Sequence, residues 1–198
     1  MELETFNVGC STKQIVPIHP NWSVIEIGGG ANPCQRSNVI TNYQQEENQR
    51  DAPIKPVPGA RMLECDVQDM RKEFSDKEFD YSLCVQVLEH VDDPKKACDE
   101  IIRISNRGYI ETPNILCEQL IGWEFHKWFV KVDEKNPNKL VFMKKDSVDF
   151  ERFGNFFHNM FYKSNPNQRK FKQMYLKYYK KFLICFYWQD SFECEVIL

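Results

Sequence analysis

The sequence predicts an α/β fold: a mostly parallel sheet with flanking helices, an antiparallel terminal hairpin, and a helical, aromatic-rich C-terminal section. Three observations predict it. Short apolar runs alternate with connecting segments up to about residue 114, the order that a parallel sheet produces. The first run, Trp22 to Ile27, passes directly into Gly28-Gly29-Gly30. Beyond residue 115 the alternation stops and aromatic residues crowd together.

Residues 1–20 read as an irregular lead-in ending in Pro17, His19 and Pro20. Trp22-Ser23-Val24-Ile25-Glu26-Ile27 then reads as a strand buried on both faces. Asn38 to Asn42 is a second strand, after a gap too short for a full helix. Residues 44–58 are polar and proline-containing, hence a loop. Residues 60–66 and 79–85 are the third and fourth strands, the latter introduced by the turn-like Ser75-Asp76-Lys77-Glu78. Asp93-Pro94 opens a helix, with proline in the first turn where its missing N–H costs nothing. Ala97, Ile101, Ile102 and Ile104 give that helix its apolar stripe. Asn106-Arg107-Gly108 closes it, and Tyr109 to Thr112 is a fifth strand ending at Pro113. Further on, 139–143 reads as a strand and 149–182 as helical, broken at Ser164-Asn165-Pro166. Phe182–Tyr187 and Phe192–Ile197 complete the chain as a hairpin around Gln189-Asp190-Ser191.

With 198 residues, 42% hydrophobic and 28% charged, the chain has material for a real core, and disorder is not its default state. A net charge of −3 gives no global pull toward nucleic acid. The eight cysteines show no C-x-x-C pair and no zinc-type spacing, and several sit inside apolar runs as small hydrophobes. No ligand spacing compels a metal and no ligand residues are assigned to one, while scattered Asp and Glu leave a divalent ion open. The start Met-Glu-Leu-Glu is acidic and unlike a signal peptide. No run approaches the roughly 18 apolar residues of a transmembrane segment. A reduced, cytoplasmic protein is the expectation.

A strand ending in glycines offers backbone to a ligand where a side chain would block it, and open α/β sheets bind ligands beyond the carboxyl ends of their strands. Asn42, Asp66 and Val85-Gln86 end the next three strands on that same edge. A nucleoside needs partners for ribose hydroxyls, an exocyclic amine and a ring face, and these residue types supply them.

The runs Glu26-Ile27-Gly28-Gly29-Gly30, Cys65-Asp66-Val67, Phe79-Asp80-Tyr81 and Val87-Leu88-Glu89-His90-Val91 together resemble the class I S-adenosylmethionine-dependent methyltransferase superfamily. The likeness is to its methyltransferase type 11-like group, which carries Leu-Glu-His-Val after the fourth strand. Gly108 to Pro113 and His126-Lys127-Trp128 are similar to a narrower bacterial and viral-type subgroup. The resemblance covers roughly residues 22–114. It implies a Rossmann-like sheet and S-adenosyl-L-methionine as cofactor. It further implies a single methyltransferase domain over 1–198: a cofactor-binding core at 21–114, an acceptor-side insertion and helices at 115–182, and terminal strands at 183–198. Glu26, Gly28, Gly29 and Gly30 would then lie against the amino-acid part of the cofactor. Asp66 would accept from the adenine amine, the Val67 N–H would reach a ring nitrogen, and Cys84, Val85 and Gln86 would line the other side. The group usually has an acid where Asn42 stands, and the first helix is cut short. Arg36 is therefore the expected partner of the cofactor carboxylate.

For the acceptor, the expectation is O-methylation of a sugar hydroxyl on a glycan or nucleotide-sugar, with Trp123 and Trp128 offering ring faces to it. A neutral histidine suits the departing proton, so His126 is the expected base and His90 its runner-up. Residues 163–181 hold Lys163, Arg169, Lys170, Lys172, Lys177, Lys180 and Lys181 with no acid, interleaved with Phe171, Tyr175, Tyr178 and Tyr179. That segment reads as a solvated amphipathic helix or as a face for an anionic partner. An RNA methyltransferase using the basic face and a non-catalytic cofactor-binding scaffold remain the alternatives.

Overall fold

The structure is a computed structural model that describes residues 3–8, 14–43, 53–145, 156–162 and 166–198. Its centre is a six-stranded sheet formed by β3 (Val24–Ile27), β4 (Val39–Asn42), β5 (Arg61–Glu64), β6 (Tyr81–Val85), β7 (Arg107–Pro113) and β10 (Leu183–Gln189). The order across the sheet is β10-β7-β6-β3-β4-β5. All neighbours run parallel except β10, which is antiparallel to β7. The order reverses between β3 and β6, so the chain leaves their carboxyl ends in opposite directions and opens a crevice there.

The two faces of the sheet have different covers. Ile25, Ile27, Cys84, Ile110, Ile184 and Phe186 form the main core with α1 (Pro94–Ile104), which contributes Ala97, Cys98, Ile101 and Ile104. Asp93 caps that helix by accepting from the Lys96 N–H at 3.1 Å, and Pro94 follows it as the sequence pattern requires. The alternate residues Val24, Tyr81, Leu83, Val85 and Tyr109 face the other way and pack on Val8, Val16 and Ile18. Those three come from an antiparallel hairpin of β1 (Glu4–Val8) and β2 (Gln14–Ile18). The lead-in is thus not irregular. Pro17 is tolerated in β2 because the strand has a single partner in its sheet.

Two further expectations are corrected. The last two strands do not form a hairpin: β10 pairs with β7 over its whole length, whereas β11 (Glu193–Ile197) pairs parallel with β9 (Lys139–Lys144). β9 also pairs antiparallel with β8 (Trp128–Val132), giving a separate three-stranded sheet. Asp190, at φ 65°, and Ser191 make a corner between sheets. Gly108 does not close α1 either; it lies within β7, flanked by Ser82 of β6 and Trp188 of β10. The expected helical stretch resolves into α3 (Phe156–Tyr162) and α4 (Pro166–Lys177), with a 3-10 turn at Tyr179–Lys181, and a further short helix, α2 (Ile115–Leu120), follows β7. Residues 149–155 of the expected helix lie outside the described residues.

Between β3 and β4 the chain makes turns rather than a helix, and a buried carboxylate organises them. Glu26 is 2% exposed. Its Oε2 accepts from the Cys34 N–H at 2.7 Å and from the Ser37 hydroxyl at 2.8 Å. Burial pushes its carboxyl up to about 7, against the two hydrogen bonds that favour the charged form.

Two outcomes are expected. A methyl carbon at Gly108 would lie 2.4 Å from Ser82 Oγ and 2.5 Å from Ser82 O. Gly108→Ala should therefore destabilise the protein by about 1–3 kcal/mol, read as a lowered urea midpoint. For Glu26, the folded state holds its proton to higher pH than the unfolded chain does. Its contribution is accordingly most favourable below pH 4.5 and is lost as pH rises toward about 7. Glu26→Gln should remove that slope, so stability against pH between those limits should be flatter in the variant, by about 2–3 kcal/mol.

Candidate active site

Because the five central strands are parallel, their carboxyl ends share one edge, and most of the expected site residues are on it. Ile27 pairs with Thr41 and Asn42 with Glu64, so Gly28, Asn42 and the start of Cys65-Asp66-Val67 lie in one row across three strands. Hydrogen bonds tie the row together: the Gly28 N–H donates to Thr41 O at 2.7 Å and the Cys65 N–H to Asn42 O at 2.9 Å. Two strand spacings give a span of about 10 Å, suited to a nucleoside.

The glycines divide their duties. Gly28 has φ 75°, and a Cβ there would sit 2.4 Å from Val87 Cγ2. A Cβ at Gly29 would sit 2.7 Å from Ile40 Cγ2. Both positions therefore let the chain's own residues close over the bend. Gly30, with φ 51°, donates its N–H to Asn42 Oδ1 at 2.9 Å. Asn42 is thus the clamp on the glycine bend, and its other amide atom, Nδ2, is buried with no partner among the described residues. Asp66 accepts from the Gln68 N–H at 2.9 Å and the Gln68 side chain at 3.1 Å, which fixes its carboxylate and leaves lone pairs over. Val67 is buried beside it in the main core.

Across the crevice, β6 ends in strain. Gln86 has φ 58°, its N–H donates to Glu111 O at 2.8 Å, and its amide donates to Glu111 Oε1 at 3.2 Å. Positive φ in a non-glycine residue costs of order 1 kcal/mol or more and collects at functional sites. Val85 is buried against the hairpin core, and Cys84 turns into the main core, so its side chain does not line the edge.

Two expected residues are elsewhere. The Arg36 guanidinium is bound to Pro20 O at 2.5 Å, Trp22 O at 2.6 Å and Asn38 Oδ1 at 3.0 Å. Those partners precede β3 and β4, so Arg36 closes the amino end of the sheet and does not meet a ligand carboxylate. Trp128 is 3% exposed, and its indole N–H donates to Val91 O at 2.7 Å. It begins β8 inside the main core and offers no face to an acceptor.

The histidines do come together. The His90 and His126 rings meet edge to face at 4.6 Å between centroids. Phe125 stacks on His90 at 5.5 Å and Trp123 leans on His126 at 4.8 Å. Phe125 is 45% exposed, so the open ring face here is Phe125 rather than Trp128. His126 itself is 2% exposed and is held by Glu118, a buried residue of α2, whose Oε1 lies 2.5 Å from Nδ1. Lys145 Nζ donates to the other oxygen of Glu118 at 2.5 Å and to Trp123 O at 3.2 Å. A carboxylate at Nδ1 places the ring proton there and leaves the lone pair on Nε2. Next to His90, Glu89 is fully buried, and its Oε2 accepts from the Thr112 hydroxyl at 3.1 Å. Glu118, Thr112, Phe125 and Lys145 carry no local sequence signal, since each acts through a partner distant in the chain.

The turn joins the two halves: the His90 N–H donates to Val87 O at 3.0 Å, and Val87 is the residue packed over Gly28. His90 is therefore one turn from the glycine bend, and His126 meets that turn through its ring contact with His90. In the basic segment, Arg169, Lys170, Lys172, Lys177, Lys180 and Lys181 are exposed, while Tyr175 is buried and stacked on Phe182 at 4.8 Å. Tyr178 is 49% exposed and Tyr179 half-buried. Lys163 lies outside the described residues. The seven described cysteines form no disulfide, and no described helix is long and apolar enough to cross a membrane.

Comparison with known proteins agrees with this geometry. Residues 31–110 match the family model described as methyltransferase domain. No curated protein matches the chain. Among solved structures, a chain of the complex between the Haloferax volcanii Trm112 methyltransferase activator and the putative methyltransferase is similar at 13% identity. That match covers 86% of this chain and 83% of that one, with a TM-score of 0.50, and shows a shared fold. A Thermotoga maritima S-adenosylmethionine-dependent methyltransferase, a possible histamine N-methyltransferase, is 25% identical over 55% of this chain, with a TM-score of 0.38. The N-terminal domain of EvdMO1, solved with S-adenosylhomocysteine and D-fucose, is 20% identical over 57% of this chain, with a TM-score of 0.39. This chain spans about half the length of these last two, 52% of each. The match over residues 31–110 falls on the parallel sheet that reverses beside the glycine bend, so this part of the chain is similar to a methyltransferase domain.

Proposed function

We propose that the protein transfers a methyl group from S-adenosyl-L-methionine to a sugar hydroxyl on a glycan or nucleotide-sugar. One observation carries the acceptor half: the buried His126 imidazole, held at Nδ1 by Glu118, lies against His90, which is one turn from the glycine bend. A hydroxyl acceptor must lose its proton as the methyl arrives, whereas many other acceptors need no such base.

The residues fit the cofactor. Asn42 has a buried amide N–H to spare, which can donate to a ribose oxygen where an acid would accept from the hydroxyls. The backbone of Gly28, Gly29 and Gly30 receives the amino-acid part, with Glu26 holding the turn behind it. Asp66 and the Val67 N–H serve the adenine, and Val85 and Gln86 bound the far side of the crevice. When bound, the cofactor supplies an electrophilic sulfonium methyl. The protein aligns the acceptor oxygen with that methyl and excludes water, a proximity effect that needs no covalent intermediate. On the acceptor side, His126 is the proton acceptor, His90 stands beside it, and Phe125 and Trp123 present ring faces to the sugar C–H surface. The exposed lysines and Arg169 on and after α4 supply positive charge for an anionic glycan or the phosphates of a nucleotide-sugar. They equally keep RNA in the acceptor panel.

Calorimetry with S-adenosylmethionine separates an enzyme from an inert scaffold at the first step. Asn42→Ala should weaken binding by about 5–10-fold, the worth of one hydrogen bond; unchanged affinity would remove Asn42 from the ribose site. With labelled methyl donor and a panel of sugars, nucleotide-sugars and RNA, label should enter a sugar hydroxyl. His126→Ala should lower turnover by about 100-fold or more with cofactor affinity unchanged. Glu118→Gln should lower it less and shift the acidic limb of the pH–rate profile, where the base loses its proton. Label found only in RNA, or full turnover in His126→Ala, refutes the assignment.

A further inference from the structure

We propose that Glu89, His90 and His126 bind a divalent first-row cation such as Mn²⁺, Co²⁺ or Zn²⁺, which takes the acceptor oxygen as an additional ligand. The three residues are far apart in sequence terms only for His126; the turn after β6 supplies the first two together. One potential ligand atom from each lies within 4.8 Å of the others. An ion held at about 2.1 Å by each would bring them to roughly 3–3.5 Å. Binding draws the ligand atoms together by about 1–1.5 Å, and His90 is the one member of the three that is not buried.

The chemistry of the set is selective. Two imidazoles and one carboxylate suit transition-metal dications, and three protein ligands leave positions open, the mark of a site that works on a bound oxygen rather than one that only braces the fold. The supporting shell is also present. Metal-binding histidines usually donate their second ring N–H to a carboxylate, and Glu118 occupies that place behind His126 at 2.5 Å. Thr112 orients the Glu89 carboxylate from the other side at 3.1 Å. The fully buried Glu89 carboxylate lies 3.8 Å from His90 Nε2, so an anionic oxygen donor and an imidazole nitrogen share one point.

The catalytic consequence rests on the O-methylation reading above. A hydroxyl bound to the cation is acidified. It loses its proton to water on the open side of His90; the oxygen–methyl bond then forms as the methyl–sulfur bond breaks, and the electron pair returns to sulfur to leave a neutral thioether. In the ion-free protein His126 takes the acceptor proton directly; with the ion bound, His126 and His90 are ligands and the cation ionises the acceptor in their place.

The full chain, stripped with EDTA and then dialysed free of it, is titrated with CoCl₂ and followed by visible absorption and thermal midpoint. One equivalent should produce d–d bands without a thiolate charge-transfer band, and should raise the midpoint. Both responses should be lost in Glu89→Gln and in His90→Gln and kept in His19→Ala. Glu118→Gln should weaken binding by about 10–100-fold. No stoichiometric binding, or binding that survives in both Glu89→Gln and His90→Gln, overturns the site. His90, which is partly exposed, keeps the test valid should Glu89→Gln fail to fold. In the labelled-methyl assay, EDTA should lower turnover by about 100-fold and MnCl₂ restore it. Turnover indifferent to both overturns the catalytic role. Cobalt binding with no methylated sugar refutes the acceptor assignment and leaves the cation site standing.

Discussion

A single buried carboxylate stands where a helix would be expected to brace the first crossover. Two parallel strands need a crossover between them, usually a helix whose packed face fixes the loop that precedes it. Here β3 and β4 are joined by turns alone, and Glu26 does the fixing: it accepts from Cys34 and Ser37 and draws the connection against the strand. The glycine bend, the Asn42 clamp on Gly30 and the row that reaches Cys65 all follow from that anchorage. The cost is a carboxyl whose burial favours the neutral form, so the loop that faces the ligand edge is built on a group poised near neutrality.

The opposite bank of the crevice is held by different means. Gln86 is kept in a left-handed conformation by two hydrogen bonds to Glu111, itself buried and accepting from the Tyr109 hydroxyl at 2.7 Å. Polar groups on adjacent strands thus set the angle at which the Val87–His90 turn leaves the sheet. His126 is presented by an unrelated part of the chain, through α2 and the β8–β9 hairpin, with Lys145 of the segment after β9 closing the network on Glu118. The strained turn on one side and the Glu118 network on the other bring the two imidazoles into contact, the juxtaposition that either proton transfer or ion binding requires.

Much of the sheet was legible because its strands are short apolar runs bounded by turn residues, and the edge residues followed from the rule that parallel strands share a carboxyl end. The failures have separate physical origins. Residues 4–18 lack strong alternation and contain Pro17, and only their packing against Leu83 and Tyr109 reveals the hairpin. The stretch 182–197 has the local signature of a hairpin, and no local pattern tells that each half finds a better partner in another sheet. Arg36 was misassigned because charge type suggests a ligand whereas direction is set by the fold: the side chain reaches back to carbonyls before β3. Trp128 failed for the converse reason, an amphipathic ring whose polar tip is already satisfied by Val91. Glu118 lies eight residues before His126 in a chain that doubles back between them, a relation invisible to any motif.

The corner at Asp190 carries a consequence for the order in which the protein is assembled. One edge of β7 and one edge of β9 are both covered by the strands on either side of that corner. During synthesis on the ribosome, both edges stay bare until residues 183–197 have emerged. The nascent protein therefore passes through a stage in which two sticky strands are exposed at once, and shielding by a chaperone matters most in that interval.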